Sequence, residues 1–200
     1  MTLMTPAIRE ELTALYSSPT RHYHSLTHVT ALLALLSTHR QHFVDPDAVE
    51  AAIWFHDAIY DARAKGPLNE VQSAELAVAR LAGTVDPKRL EWIRRVIEAT
   101  ATHTLPEGLE GGEAGDAALF LDMDLSILGA EEATFDEYEA AVRKEYALVE
   151  DEAWRVGRAA VLRRFLERER IYHSELLRGL YEDAARGNLR RSLKRLGVEV

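Results

Sequence analysis

The chain has 200 residues, a formal net charge of −9 and no cysteine. This length fits one domain over residues 1–200, and the lack of cysteine excludes disulfides and thiolate metal sites. The negative charge disfavours binding to long nucleic acids, because that affinity comes from many Lys and Arg contacts with phosphate. The first residues lack the pattern of a signal peptide, and no segment has the roughly 20 apolar residues of a membrane span. We therefore expect a soluble, cytoplasmic protein.

Helical periodicity extends over most of the chain. A first short helix is predicted from Pro6 to Tyr16, and Ser25 is predicted to cap a second helix that turns His28 inward. The apolar run 51–60 is predicted as a third, buried helix. Further predictions are helices near 69–81, 87–101, 131–150, 153–170 and 174–187, a surface loop over 106–115, a second apolar run over 117–128 and a basic tail over 190–195. No alternating pattern is long enough for a sheet, so we predict an all-α fold, a single compact multi-helix bundle.

Polar residues inside these apolar runs are the candidates for chemistry. His56 and Asp57 interrupt the run 51–60, and a buried imidazole beside a buried carboxylate is costly unless another group pairs with them. The pair is therefore either an internal ion pair or part of a metal site. With His28 and Asp124 it makes a mixed nitrogen and oxygen donor set that suits Mn, Fe, Co, Ni, Zn or Mg. Taken singly, each histidine could be hydrogen-bonded core, and Asp122 or Asp124 could cap a short helix.

Four motifs along the chain carry a family resemblance. They are Arg21-x-Tyr23-His24-x-x-x-His28, Trp54-Phe55-His56-Asp57-Ala58-Ile59-Tyr60-Asp61, Asn69-Glu70-x-x-Ser73-Ala74 and Asp122-x-Asp124-Leu125-Ser126-Ile127-Leu128-Gly129. In order and context, these motifs resemble the HD superfamily of metal-dependent phosphohydrolases, and more narrowly its bacterial branch of predicted HD phosphohydrolases. The resemblance covers nearly the whole chain and implies an all-α HD-domain bundle.

The resemblance also implies a ligand set. Carried over position by position, the metal ligands fall on His28, His56, Asp57 and Asp124. Either Asp122 or Asp124 could take the last position, and Asp124 is preferred because the family's last ligand stands directly before the next apolar helical turn. Branches that bind two ions carry extra histidines before the final aspartate, whereas here that interval holds only His103. The resemblance thus implies one divalent ion, with His103 as a phosphate contact or as a group behind the ligands.

The implied reaction is hydrolysis of a small phosphate ester, such as a nucleotide or a related metabolite, by metal-activated water. Glu70 is predicted to transfer the proton, with Asp61 as its competitor; the alternative for Glu70 is an ordinary acid in a first helical turn. The residues predicted to bind the substrate phosphate are Arg21, His24, Lys65 and His103.

Two other functions stay open at this point. One is a non-catalytic metal- or nucleotide-binding module. The other is an HD-type iron oxygenase, which would need more ligands than this chain offers. A homodimer is among the oligomeric states that the sequence allows.

Overall fold

In the computed structural model of the protein, residues 3–198 are described, and their regular structure is entirely helical. The predicted all-α class is thereby confirmed. The helices within residues 3–198 are α1 Pro6–Tyr16, α2 Leu26–Thr38, α3 Pro46–Phe55, α4 Leu68–Leu81, α5 Pro87–Ala99, α6 Gly111–Asp124, α7 Glu132–Glu145, α8 Asp151–Leu166 and α9 Glu175–Arg195, with 3-10 segments at Arg40–His42 and Leu125–Gly129. Over the same residues, no helix combines the length and the apolar character that crossing a bilayer requires.

Backbone contacts divide the chain into two compact units, the first ending at Asp124 and the second beginning at Leu125. The single domain over residues 1–200 stays a prediction. All of the predicted site residues belong to the first unit, so the second is described only briefly below.

The first unit is organised around α3, which contacts α1, α2, α4, α5 and α6. Asp45 begins the helix by accepting a hydrogen bond from Ala48 N at 3.0 Å, and the residue that follows it is proline, whose missing N–H costs nothing at that position. Ile53 and Phe55 near its other end are fully buried. Truncating either to alanine typically costs about 2–5 kcal/mol. The end of α3 is therefore held firmly in the core.

Several predicted boundaries were wrong, among them the end of α3 and the start of α6. α3 ends at Phe55, so His56 and Asp57 follow the helix instead of lying inside it. The predicted surface loop over 106–115 is helical from Gly111 onward, because tertiary hydrogen bonds outweigh the low helix propensity of its glycines. In one of these bonds Trp92 Nε1 donates to the Glu113 carbonyl at 3.0 Å.

The second unit is held by a buried ion pair that links three helices. Arg158 on α8 binds the Glu139 carboxylate on α7, and it donates a 2.7 Å hydrogen bond to the Tyr138 hydroxyl. Ser192 on α9 donates to the other Glu139 oxygen at 2.7 Å. The segment 190–195, predicted as a basic tail, is the last part of α9. Leu193 in this segment is fully buried, so it anchors the end of the helix in the core.

Candidate metal centre

Three helices of the first unit bring the four predicted ligands together. His28 lies in the first turn of α2, His56 and Asp57 follow the end of α3, and Asp124 is the last residue of α6. Because α3 packs against both α2 and α6, His28 and Asp124 meet although they are 96 positions apart in sequence.

The four side chains present their donor atoms to one another. The His56 Nε2 atom lies 3.2 Å from His28 Nε2 and 3.0 Å from Asp57 Oδ2. His28, His56 and Asp57 each have a donor atom within 4.8 Å of the other two. Asp124 adjoins this group through its Oδ1 atom, which lies 3.0 Å from His28 Nε2 and 3.5 Å from His56 Nε2.

These separations fit a shared cation. Donors that each lie about 2.1 Å from one ion are about 3.0 Å apart when adjacent and about 4.2 Å apart when opposite. The separations in the cluster that involve a histidine Nε2 atom range from 3.0 Å to 3.9 Å. The residues present therefore fit one ion with a nitrogen and oxygen ligand set.

The electrostatics of the cluster also suit a cation. Burial alone would raise the pKa of Asp57 and Asp124, but the charge of the neighbouring His56 together with hydrogen bonds from the surrounding histidines outweighs it and lowers both. Burial opposes protonation of His56, yet the two carboxylates outweigh that effect and raise the pKa of His56 well above its ordinary value. A proton on His56 thus compensates part of the buried negative charge, and a divalent ion would compensate both carboxylates.

The His56 ring is oriented from behind by the main chain. Its Nδ1 atom lies 2.9 Å from the Ile53 carbonyl oxygen, which can only accept, so Nδ1 carries a proton and Nε2 faces the cluster. A metal-binding histidine usually donates its second ring N–H in this way, which fixes the tautomer and the ring position. This contact supports a ligand role for Nε2.

Asp124 rather than Asp122 reaches the cluster. Both residues belong to α6, and residues two positions apart in an α-helix differ by about 200° of rotation around the helix axis. Since Asp124 faces the two histidines, Asp122 faces the other side of the helix, where it is fully buried. The geometry therefore agrees with the preferred choice of last ligand.

His103 adds a fifth side chain. It follows α5, and its Nε2 atom lies 2.8 Å from Asp124 Oδ2, the oxygen that does not face His28. A carboxylate only accepts hydrogen bonds, so His103 donates. His103 therefore lies behind Asp124 as seen from His28, and its role stays a prediction.

Glu70 lies beside the cluster. It occupies the first turn of α4, and its Oε2 atom is buried with no hydrogen-bond partner within residues 3–198. Burial raises the pKa of Glu70, the charge of Asp57 adds to the increase, and His103 and His24 oppose it. A half-buried carboxyl group with a raised pKa is suited to accepting and returning a proton.

Asp61, the competitor for that role, is exposed and forms an ion pair with Arg63 at 2.9 Å. This pairing lowers the pKa of Asp61. A carboxylate held in its charged form by an arginine is a weaker base, so the geometry favours Glu70.

Arg21 binds the protein's own main chain. Its Nη1 atom donates to the carbonyl oxygens of His24 at 3.0 Å and Asp57 at 2.6 Å, and its Nη2 atom donates to that of Ala58 at 2.7 Å. This placement differs from the one expected for a residue that binds only a substrate phosphate.

The other two predicted phosphate contacts are placed differently. The His24 ring stacks on Tyr60 with a centroid separation of 4.2 Å, and it lies 6.3 Å from the His28 ring. Lys65 is exposed in the segment between α3 and α4. His24 therefore borders the cluster, whereas Lys65 lies on the surface.

Sequence reasoning missed Tyr16, and it named Ser73 only as part of a motif, without a role. The Tyr16 hydroxyl donates to the Trp54 carbonyl at 3.1 Å and accepts from Asp57 N at 3.2 Å. Ser73 Oγ accepts from Ile59 N at 3.0 Å and lies 3.2 Å from the Ile59 carbonyl. Both are polar side chains on otherwise apolar helix faces, and such groups need partners when they are buried.

Comparison with protein-family models, with curated proteins and with solved structures returned no match for this chain.

Proposed function

We propose that the protein is a metal-dependent phosphohydrolase of the HD superfamily and that it hydrolyses a small phosphate ester, such as a nucleotide or a related metabolite, in the cytoplasm. The observation that carries the proposal is the convergence of His28, His56, Asp57 and Asp124, with the donor types and separations of one divalent ion. The order of these residues along the chain supports the superfamily. The absence of cysteine agrees with a reducing compartment.

The carboxylates of the proposed site are more exposed than its histidines. His56 is 1% exposed, whereas the side chains of Asp57 and Asp124 are 15% and 11% exposed. We therefore expect a substrate to approach from the side of the carboxylates. A divalent ion held there would supply Lewis-acid chemistry, by polarising a phosphoryl group and making a water molecule more acidic.

Glu70 is the residue that we propose accepts the proton of the attacking water. Its Oε2 atom is buried without a hydrogen-bond partner in the described part of the chain, so it is available to bind a proton. Burial and the charge of Asp57 both raise the pKa of Glu70. A general base of this kind typically contributes about 10²–10⁴-fold to the rate.

Charge favours a small substrate. The net charge of −9 opposes the approach of a long polyanion. A single phosphate group bound at the cluster would lie near His24, whose ring is 6.3 Å from that of His28. A nucleotide or sugar phosphate meets both conditions.

The proposal is tested by metal analysis and by a hydrolysis screen. Protein purified without chelator should contain one divalent ion per chain, and His56→Ala should lose it. The protein loaded with Mn, Co, Ni or Mg should then hydrolyse at least one member of a panel of nucleotides, sugar phosphates and phosphodiesters.

Glu70→Gln should keep the ion and the fold while turnover falls about 10²–10⁴-fold. The matched control is Glu75→Gln on the exposed side of the same helix, which should change neither property. If the ion is fully bound and no phosphate ester is cleaved, the hydrolase proposal is wrong and a non-catalytic binding module replaces it.

A further inference from the structure

The main chain at Asp57 is held by side chains from a different part of the sequence. Its N–H donates to the Tyr16 hydroxyl at 3.2 Å, and its carbonyl accepts from Arg21 Nη1 at 2.6 Å. The neighbouring carbonyls are bound by the same two side chains, since Trp54 O accepts from Tyr16 and Ala58 O accepts from Arg21. We call Tyr16 and Arg21 the backbone clamp.

The backbone clamp supplies hydrogen bonds to main-chain groups beyond the end of α3. α3 ends at Phe55, and the last carbonyls of a helix have no partner within it. The Asp57 and Ala58 carbonyls lie just beyond this end, so their orientation must come from elsewhere. A cation near the C-terminal end of a helix is also favoured by the helix dipole. Arg21 supplies both the hydrogen-bond donors for these carbonyls and a positive charge at the end of the helix.

The two side chains of the clamp support each other. The Arg21 guanidinium lies 4.9 Å from the centroid of the Tyr16 ring and 5.7 Å from that of Tyr60. The Tyr16 hydroxyl carries its proton and donates it to the Trp54 carbonyl oxygen, while its oxygen accepts from Asp57 N. The planar guanidinium binds several carbonyls at fixed angles, which a lysine cannot reproduce.

We propose that Tyr16 and Arg21 are positioning residues that set the orientation of Asp57 for metal binding, and that this is the main role of Arg21 instead of contact with substrate. The inference rests on the proposed metal function. It extends that function to Tyr16, which lies outside every motif that suggested the site. It also predicts that metal affinity depends on two residues that do not themselves bind the ion.

Metal affinity, measured by competition with a chelator, is the first test. Tyr16→Phe and Arg21→Ala should each weaken binding by about 10–100-fold, the usual effect of removing a group that orients a ligand. Arg21→Lys should recover only part of the loss. The control is Arg9→Ala, because Arg9 also lies on α1 and binds Met4 O and Glu50, away from the cluster. It should lower stability without changing the affinity of the folded protein.

A second test needs no metal. Tyr16→Phe removes the acceptor of the Asp57 N–H while keeping the ring, so hydrogen exchange at the Asp57 amide of the metal-free protein should accelerate in this variant and not in Arg9→Ala. This readout separates the clamp from the proposed function. If wild-type protein binds no metal, the proposed function fails, whereas the exchange result still decides whether the clamp exists.

Two results would overturn the inference. Unchanged metal affinity in Arg21→Ala together with a raised KM would assign Arg21 to the substrate. Unchanged affinity and unchanged KM, with only a lower melting temperature, would make the clamp a general structural contact.

Discussion

His103 is the only non-glycine residue within residues 3–198 that has a positive φ, and its value is 51°. This conformation follows the end of α5, where His103 N donates to the Ala99 carbonyl at 2.7 Å. An L-residue in the left-handed region costs about 1–2 kcal/mol. Glycine adopts it without that cost. The backbone alone would thus favour glycine here, so the presence of histidine suggests a role for its side chain.

A pair of substitutions separates the backbone from the side chain. His103→Gly and His103→Ala both remove the imidazole, and they differ only in their tolerance of positive φ. Glycine avoids the cost of about 1–2 kcal/mol for a positive φ, but it loses more entropy on folding, which offsets about 0.5–1 kcal/mol of that gain. We therefore expect His103→Gly to be more stable than His103→Ala by about 1 kcal/mol. For a chain of this size that difference raises the melting temperature by about 2–4 °C, which calorimetry on the metal-free proteins can measure.

In contrast to stability, metal affinity should depend on whether the His103 imidazole is present. Both variants lose the 2.8 Å contact with Asp124, so each should bind the ion about 10–100-fold more weakly than the wild type. His103→Asn should lose less, because asparagine tolerates positive φ and its amide can donate. Equal stability of the glycine and alanine variants would refute the strain argument. Wild-type affinity in either variant would refute the role of His103 behind Asp124.

Three further predictions concern other side chains. Asp124→Ala should lose the bound metal in elemental analysis while Asp122→Ala keeps it; the reverse result would exchange their roles. Arg158→Ala should lower the free energy of unfolding by about 3–5 kcal/mol in urea titrations, because it leaves the Glu139 carboxylate buried without its partner. Asp136, whose pKa is lowered to about 2 by hydrogen bonds from two arginines, should stabilise the protein above the unfolded-state pKa, with the contribution disappearing as the pH falls toward 2. Asp136→Asn should therefore approach wild-type stability at that pH, and an equal deficit at pH 6 and pH 2 would contradict the assignment.

The helices and the residues of the cluster could be predicted because both leave local signals. α1 has the predicted limits Pro6 and Tyr16, since a proline begins it and the segment after it contains helix breakers. The candidate ligands are polar residues inside apolar runs, a pattern that needs no knowledge of the fold. Their mutual distances follow from helix packing, which no single segment of sequence encodes.

Tertiary contacts explain the wrong boundaries. The run 51–60 has uniform helical character, so nothing in it marks Phe55 as the last helical residue. The chain leaves the helix there because Arg21 and Tyr16 bind its main chain, and these residues are more than thirty positions away. The glycines near residue 111 likewise suggested a loop, because their helix propensity is low and the contact with Trp92 is not visible locally.

Tertiary contacts also change the interpretation of the basic residues around the proposed site. In sequence, Arg21 and His103 are cationic or hydrogen-bonding groups beside acidic motifs, which favours contact with a substrate phosphate. In the folded protein, Arg21 binds main-chain carbonyls and His103 binds Asp124, so both act on the protein's own oxygens. A buried cluster with two carboxylates needs such groups to keep its ligands oriented before any substrate arrives. Of the predicted phosphate contacts, His24 and Lys65 therefore become the ones to test first for substrate binding.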